Sequence, residues 1–228
     1  MDIAFSKKGV SMKKIEDKSI CAKCGGFCCK KSGCDYFVSD FDNLKLDYLI
    51  ELLNTGNVSV VASLDFQRLS NGKLVCSQVL SLRARNVNRD VIDLLSFKTT
   101  CSKLTETGCS YDLSERPSGG ATLIPGEDMT CHSDIDRIVE LKKWIPYQKV
   151  LERLVKRFTG MSVYAKLKED VENLFYDILC ENFECVMDVE LYDVQSMLPL
   201  LNEAFPEEAV KATKRYQTSS PMILRRKK

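Results

Sequence analysis

Apolar side chains at Leu46, Leu49, Ile50 and Leu53 recur at helical spacing, with Asp40 or Asp42 placed to cap the start and Gly56 to close the end in the left-handed conformation. This spacing predicts a helix over residues 42–55. The period then switches to two. Residues 58–69 and 74–85 are rich in apolar and β-branched positions and flank Ser70-Asn71-Gly72-Lys73. Asn-Gly is a dipeptide that a tight hairpin turn prefers, because both residues tolerate positive φ. In the second arm Leu74, Cys76, Leu80, Leu82 and Ala84 fall on one face and Ser77, Ser81, Arg83 and Arg85 on the other. Such alternation suits an antiparallel strand buried on one side, and it makes Cys76 a small core residue rather than a ligand.

Residues 101–111 predict a shorter hairpin, with Glu106-Thr107-Gly108 at its tip and a cysteine on either side. The stretch 115–131 holds two prolines and three glycines and predicts a loop that delivers Cys131 to the start of a helix. From Ser133 the pattern is helical. Ser133 or Asp134 caps a run in which Ile135, Ile138, Val139 and Leu141 form the stripe, and Pro146 breaks that run or begins the next helix. Further helices are expected over 147–158, closed by Gly160, and over 162–183, with Leu167, Val171, Leu174, Phe175, Ile178 and Leu179 as the buried stripe. Two more follow over 189–205 and from Pro206 to about Tyr216.

Strands first and helices afterwards argue an α+β fold. The chain divides into a basic arm (1–19), a module with antiparallel β-hairpins and one helix (20–132), a C-terminal helical bundle (133–216) and a basic tail (217–228).

Composition narrows the function classes. With 228 residues, 44% of them hydrophobic, the chain buries a proper core. Lysine and arginine total 33 against 32 acidic residues, so no global field favours nucleic acid or an anionic membrane. The clustered basic residues at both ends read as solvated tails. No run approaches about 20 consecutive apolar residues, so no membrane span is expected. The start lacks an apolar h-region ahead of a cleavage site, and the expected location is cytoplasmic. A reducing compartment disfavours structural disulfides and turns clustered thiols into candidate metal ligands or redox groups.

That matters because the chain has 11 cysteines. Cys21, Cys24, Cys28, Cys29 and Cys34 crowd into fourteen residues together with Gly25, Gly26 and Gly33, whose positive-φ freedom suits a chain wrapped around a metal. No helical or strand period runs through this stretch, which predicts a loop. Cys21 and Cys24, two residues apart, place both sulfurs on one ion without strain. Cys28 or Cys29 adds a third ligand, and Cys101, Cys109 and Cys131 add more from the distant half. One tetrahedral ion or one iron–sulfur cluster takes four ligands, so these eight cysteines supply one site with spares, or two sites. Side chains of the adjacent Cys28 and Cys29 diverge, so two metals or a multi-iron cluster would use both better. The expected cofactor is zinc or an iron–sulfur cluster, stapling the N-terminal module. Cys180 and Cys185, on the third helix, read as small core residues.

The pattern Cys21-x2-Cys24-Gly-Gly-x-Cys28-Cys29, then Cys101-x2-Leu104-x3-Gly108-Cys109-x6-Arg116-Pro117 and then Cys131, resembles the YkgJ-type cysteine-cluster family, described as zinc- or iron-chelating proteins. In many members of that family a cysteine follows Arg-Pro by two residues. Here Ser118-Gly119-Gly120 stands in that place, and the resemblance implies that Cys131 or Cys34 supplies the thiol. The cysteine pattern is also similar to that of the flagellin lysine N-methylase proteins, which implies an enzyme as an alternative.

His132, the only histidine, reads as a polar residue near a helix start rather than as a ligand or an acid–base group. The sequence shows no glycine-rich phosphate loop, dinucleotide fingerprint, serine nucleophile elbow or Cys-x3-Cys-x2-Cys arrangement of the radical S-adenosylmethionine kind. Glu115 and Arg116 are expected to form an ion pair or hydrogen bonds beside the thiols. Three readings follow: a metal-stapled protein whose helical region recognises a protein partner, an iron–sulfur redox or protein-modifying enzyme, and a sensor whose thiolates lose metal or oxidise.

Overall fold

The computed structural model describes residues 18–26, 29–30, 34–96, 100–106, 108–128, 131–180 and 188–223, with the backbone alone at 18, 188–195 and 220–223. The arm before residue 18, Cys28, Gly33, Cys185, the end of the helix expected to reach 183, and the tail from 224 lie outside the described residues. The helices are α1 (Lys18–Cys24), α2 (Leu46–Asn54), α3 (Ser118–Ala121), α4 (Arg137–Lys142), α5 (Gln148–Thr159), α6 (Val163–Leu179), α7 (Asp188–Ala204) and α8 (Pro206–Ile223). Three antiparallel hairpins pair β1 (Val58–Arg68) with β2 (Leu74–Ala84), β3 (Leu104–Thr105) with β4 (Gly108–Cys109), and β5 (Ile124–Pro125) with β6 (Cys131–His132). Helices and antiparallel hairpins together make an α+β chain.

The long hairpin is paired throughout, from Val58 opposite Ala84 to Arg68 opposite Leu74. At its tip Gly72 N donates to Leu69 O and Leu69 N donates to Lys73 O, both at 2.9 Å, and Gly72 takes φ 81°. The turn is therefore a three-residue loop closed by a left-handed glycine bulge, not a pair of left-handed central residues. Asn71 contributes differently from the expectation: its Oδ1 accepts from Lys73 N at 3.0 Å.

Away from the turn, both edges of this hairpin are covered by segments too short to show a period, which shortens the open edges. Residues 34–36 run antiparallel to β2, with Tyr36 N donating to Leu82 O and Ala84 N to Cys34 O at 2.9 Å. Further along the same edge the Gln148 amide accepts from Leu80 N and donates to Leu80 O, each at 2.9 Å. On β1, Val60 N donates to Val91 O at 2.8 Å and Asp93 N to Val60 O at 3.0 Å, in parallel sense.

The apolar face of the hairpin builds the core. Val58, Val60, Leu80 and Leu82 pack with Leu49, Leu52 and Leu53 of α2, Leu151 and Leu154 of α5, Leu167 and Val171 of α6, Leu201 of α7, and Trp144 from the turn between α4 and α5. Each such leucine contributes about 1.5–3 kcal/mol by leaving water. Residues on both sides of position 133 share this one cluster. Cys76 packs against it as expected, and burial followed by the charge of Asp65 pushes its thiol up to about 11.

Helix ends explain the departures from the expected boundaries. Lys45, not Asp40 or Asp42, precedes α2. Asp40 is instead buried, accepting from Phe37 N and Ser118 N at 2.9 Å each and from the Ser118 hydroxyl, so it ties the turn at Val38–Asp40 to the start of α3. Asp136, not Ser133 or Asp134, caps α4 through Ile138 N and Val139 N. The expected stripe on α4 is turned over: Ile138 and Val139 are exposed, while Glu140 and Trp144 are buried. Pro146 lies in a short 3-10 turn between α4 and α5, Gly160 closes α5 at φ 74°, and Ser162 caps α6. The last helix runs on to Ile223, past the expected end near Tyr216.

Asp40→Ala strips an acceptor from three donors and should cost about 3 kcal/mol. Urea unfolding of the variant checks this, and an unchanged midpoint would show that the carboxylate contributes no net stability.

Candidate functional site

The end of the long hairpin opposite its turn is where the thiols meet. Cys34 is held on the β2 edge by the bond from Ala84. Past β2 the chain pairs again, with Asn86 opposite Cys101 and with Val87 N donating to Thr100 O at 2.7 Å and Ser102 N to Arg85 O at 2.9 Å. Cys101 N then donates to Cys29 O at 2.7 Å. Cys29, Cys34 and Cys101 are thereby buried together with Ala84, under Leu104 and Tyr111.

The β3–β4 hairpin adds Cys109. The Cys29 thiol donates to it, Tyr111 N donates to it, and the Arg116 guanidinium stands beside it. These contacts, the Cys29 bond first, outweigh burial and hold the Cys109 thiol down at about 6. Arg116 is itself buried. Tyr36 and Tyr111 complete the surround, their hydroxyls 3.4 Å apart. Burial raises both phenols, and the nearby charges of Cys34, Cys101 and Cys109 raise Tyr111 further.

The Ser118-Gly119-Gly120 stretch proves to be α3, buried rather than looped out. Gly119 N donates to Asp35 O at 3.0 Å. A Cβ on Gly119 would sit 2.6 Å from that oxygen, and one on Gly120 would sit 2.1 Å from Cys34 Sγ. Glycine is needed at both places because backbone presses directly on the Cys34 segment. Of the two thiols proposed to stand in beside Arg116-Pro117, Cys34 is the one packed against this glycine pair.

Cys21 and Cys24 lie in α1, half-buried, where a loop was expected. Seven residues are too few to display a period, and the helix ends as Gly25 and Gly26 take φ 63° and 77°. α1 packs on β4. Gly26 lies so close to Leu104 that a Cβ would stand 2.3 Å from its Cδ1. Cys131 is exposed in β6, opposite Pro125, with His132 exposed opposite Ile124. Neither leads into a helix directly. Cys180 caps the end of α6, half-buried. The nine described cysteines are thiols, not disulfides. Among the described residues no three histidine, cysteine, aspartate or glutamate side chains stand together as a ready-made metal-holding group. The sequence did not single out Tyr36 or Tyr111, although Tyr111 follows Cys109 by two positions.

No family model, no curated protein and no solved structure matches the chain.

Gly120→Ala should displace Cys34 and destabilise the protein by about 1–3 kcal/mol, as overpacking does. Mass-mapped alkylation is expected to modify Cys34 faster than in the wild type, and equal rates with equal stability would contradict the contact.

Proposed function

We propose that the chain is a metal-binding protein whose cysteine thiolates hold zinc or an iron–sulfur cluster, joining the 29–34 stretch to the 101–109 hairpin. The observation that carries the reading is the meeting of Cys29, Cys34 and Cys101 in one buried cluster with Cys109 bonded to Cys29. Drawn onto one ion, four such sulfurs would suit zinc or iron–sulfur chemistry and would suit magnesium or calcium poorly; among the described residues they do not already stand as a metal-holding group. Arg116 supports the reading, because a cation beside Cys109 favours the thiolate that a metal requires. Burial keeps water from the sulfurs of Cys29, Cys34 and Cys101, and Tyr111 packs against them.

When bound, the metal would cross-link two stretches that the backbone joins only by hydrogen bonds. Cys21 and Cys24, carried by α1 against β4, and Cys28 are the candidates for further ligands, and Cys131 is the outlying one. The likeness to the YkgJ-type family belongs to the same proposal, with Cys34 taking the place beside Gly119 and Gly120. A cytoplasmic location follows from the same reading, since clustered reduced thiols need a reducing compartment.

Elemental analysis of anaerobically purified protein tests the proposal. Cys29→Ser and Cys101→Ser should each lower bound zinc or iron severalfold, while Cys180→Ala should leave it at the wild-type level. Wild-type protein without either metal, or unchanged stoichiometry in both serine variants, would refute the assignment.

A further inference from the structure

A second surface lies away from the thiols, along the stretch from α4 to α5. The chain as a whole balances 33 basic against 32 acidic residues, yet residues 137–157 hold seven lysines and arginines against two glutamates. One of those glutamates, Glu140, is buried and paired with Lys143 at 2.6 Å. Of the five exposed positions on α5, four are Lys149, Arg153, Lys156 and Arg157, and the fifth is Glu152.

Backbone geometry keeps these positions in solvent. α4, the 3-10 turn at Ile145–Tyr147 and α5 follow one another, with Lys143 and Trp144 between the first two, both right-handed helical. Trp144, Leu151, Leu154 and Val155 turn into the core. Exposed Ile138, Lys142, Ile145, Lys149, Arg153 and Arg157 recur between the buried residues at steps of three or four, as neighbours along a helix surface do.

Two features leave this surface unsatisfied. Among the described residues, the side chains of Lys142, Lys149, Arg153, Lys156 and Arg157 make no hydrogen bond or ion pair. Lys149 and Arg153 stand four apart, as do Arg153 and Arg157, so like charges repel along the helix. Beside them Ile138, Val139 and Ile145 are 64%, 50% and 56% exposed, which leaves aliphatic surface in water.

We infer that this surface docks on an anionic phospholipid bilayer. Each lysine or arginine held near such a membrane strengthens binding about fivefold, and this stretch offers five that no acid neutralises. Aliphatic side chains interleaved with cations fit the boundary between headgroups and acyl chains, where the charges stay wet and isoleucine leaves water. A nucleic acid fits less well. The aromatic residues of this stretch, Trp144 and Tyr147, pack against the core and are not free to stack on bases, and phosphates give the isoleucines nothing to bury against. Docking is peripheral, since no helix among the described residues is long and apolar enough to cross a membrane.

Full-length protein is sedimented with vesicles of phosphatidylcholine alone and of phosphatidylcholine with phosphatidylserine at about 7:3. The serine-lipid vesicles should bind about a hundredfold tighter or more, and about 0.5 M salt should remove most of that difference. Lys149→Gln/Arg153→Gln/Lys156→Gln should weaken their binding about a hundredfold and melt no lower than the wild type, because repulsion along α5 is relieved. Lys149→Gln alone, about fivefold weaker, serves as the test should the triple variant misfold. Ile138→Ser/Ile145→Ser should weaken binding about tenfold. Equal affinity for the two vesicles, or full affinity in the folded charge variant or in the isoleucine variant, would overturn the inference. Tighter binding of polyuridylate RNA or of poly-glutamate than of serine-lipid vesicles would also overturn it, assigning the surface to a nucleic acid or to an acidic protein.

Discussion

Everything around the thiols depends on the pairing of residues 34–36 with the edge of β2. Two backbone bonds, from Tyr36 to Leu82 and from Ala84 to Cys34, set the position of three consecutive side chains. Cys34 turns to the thiol cluster, Asp35 pairs with Arg83 at 2.7 Å, and Tyr36 enters the core. The same segment receives α3, since Gly119 donates to Asp35 O and Gly120 abuts Cys34. Trp144 Nε1 donates to Tyr36 O at 3.3 Å, which carries the constraint into the helical part. The strand edge, the glycine pair and the indole thus converge on the same three residues.

The electrostatics follow from that packing. Thiols brought into a dry cluster would ordinarily resist ionisation, because burial disfavours charge. Cys109 departs from this since a donating thiol and a guanidinium face it, whereas Cys76, half-buried near Asp65 without such help, is pushed the other way. The contrast separates a thiol whose surroundings favour the thiolate from one that sits against the core.

Long amphipathic elements were legible in the sequence, and short ones were not. The stripe of Leu167, Val171 and Leu174 spans enough turns to fix a helix face, with Gly160 closing the helix before it and Ser162 capping its own start. α1 has seven residues and no stripe, so Cys21 and Cys24 read as loop. Segments 34–36 and 91–94 are held by backbone bonds that leave no trace in side-chain order. On α4 the apolar pattern misled, because Ile138 and Val139 face out while Glu140 turns inward with one oxygen on Lys143. Cysteine spacing suggested a site made from two distant stretches, and the fold brings Cys29 and Cys34 to Cys101 and Cys109. It could not tell that Cys131 would lie exposed, since that depends on the β5–β6 pairing.

That these sulfurs hold zinc or an iron–sulfur cluster is the proposal to test. X-ray absorption at the zinc and iron edges, on anaerobically purified wild-type protein, reads the donor atoms directly. The account predicts a first shell dominated by sulfur, at about 2.3 Å for zinc. A shell of nitrogen and oxygen alone, or protein carrying neither metal, would contradict it.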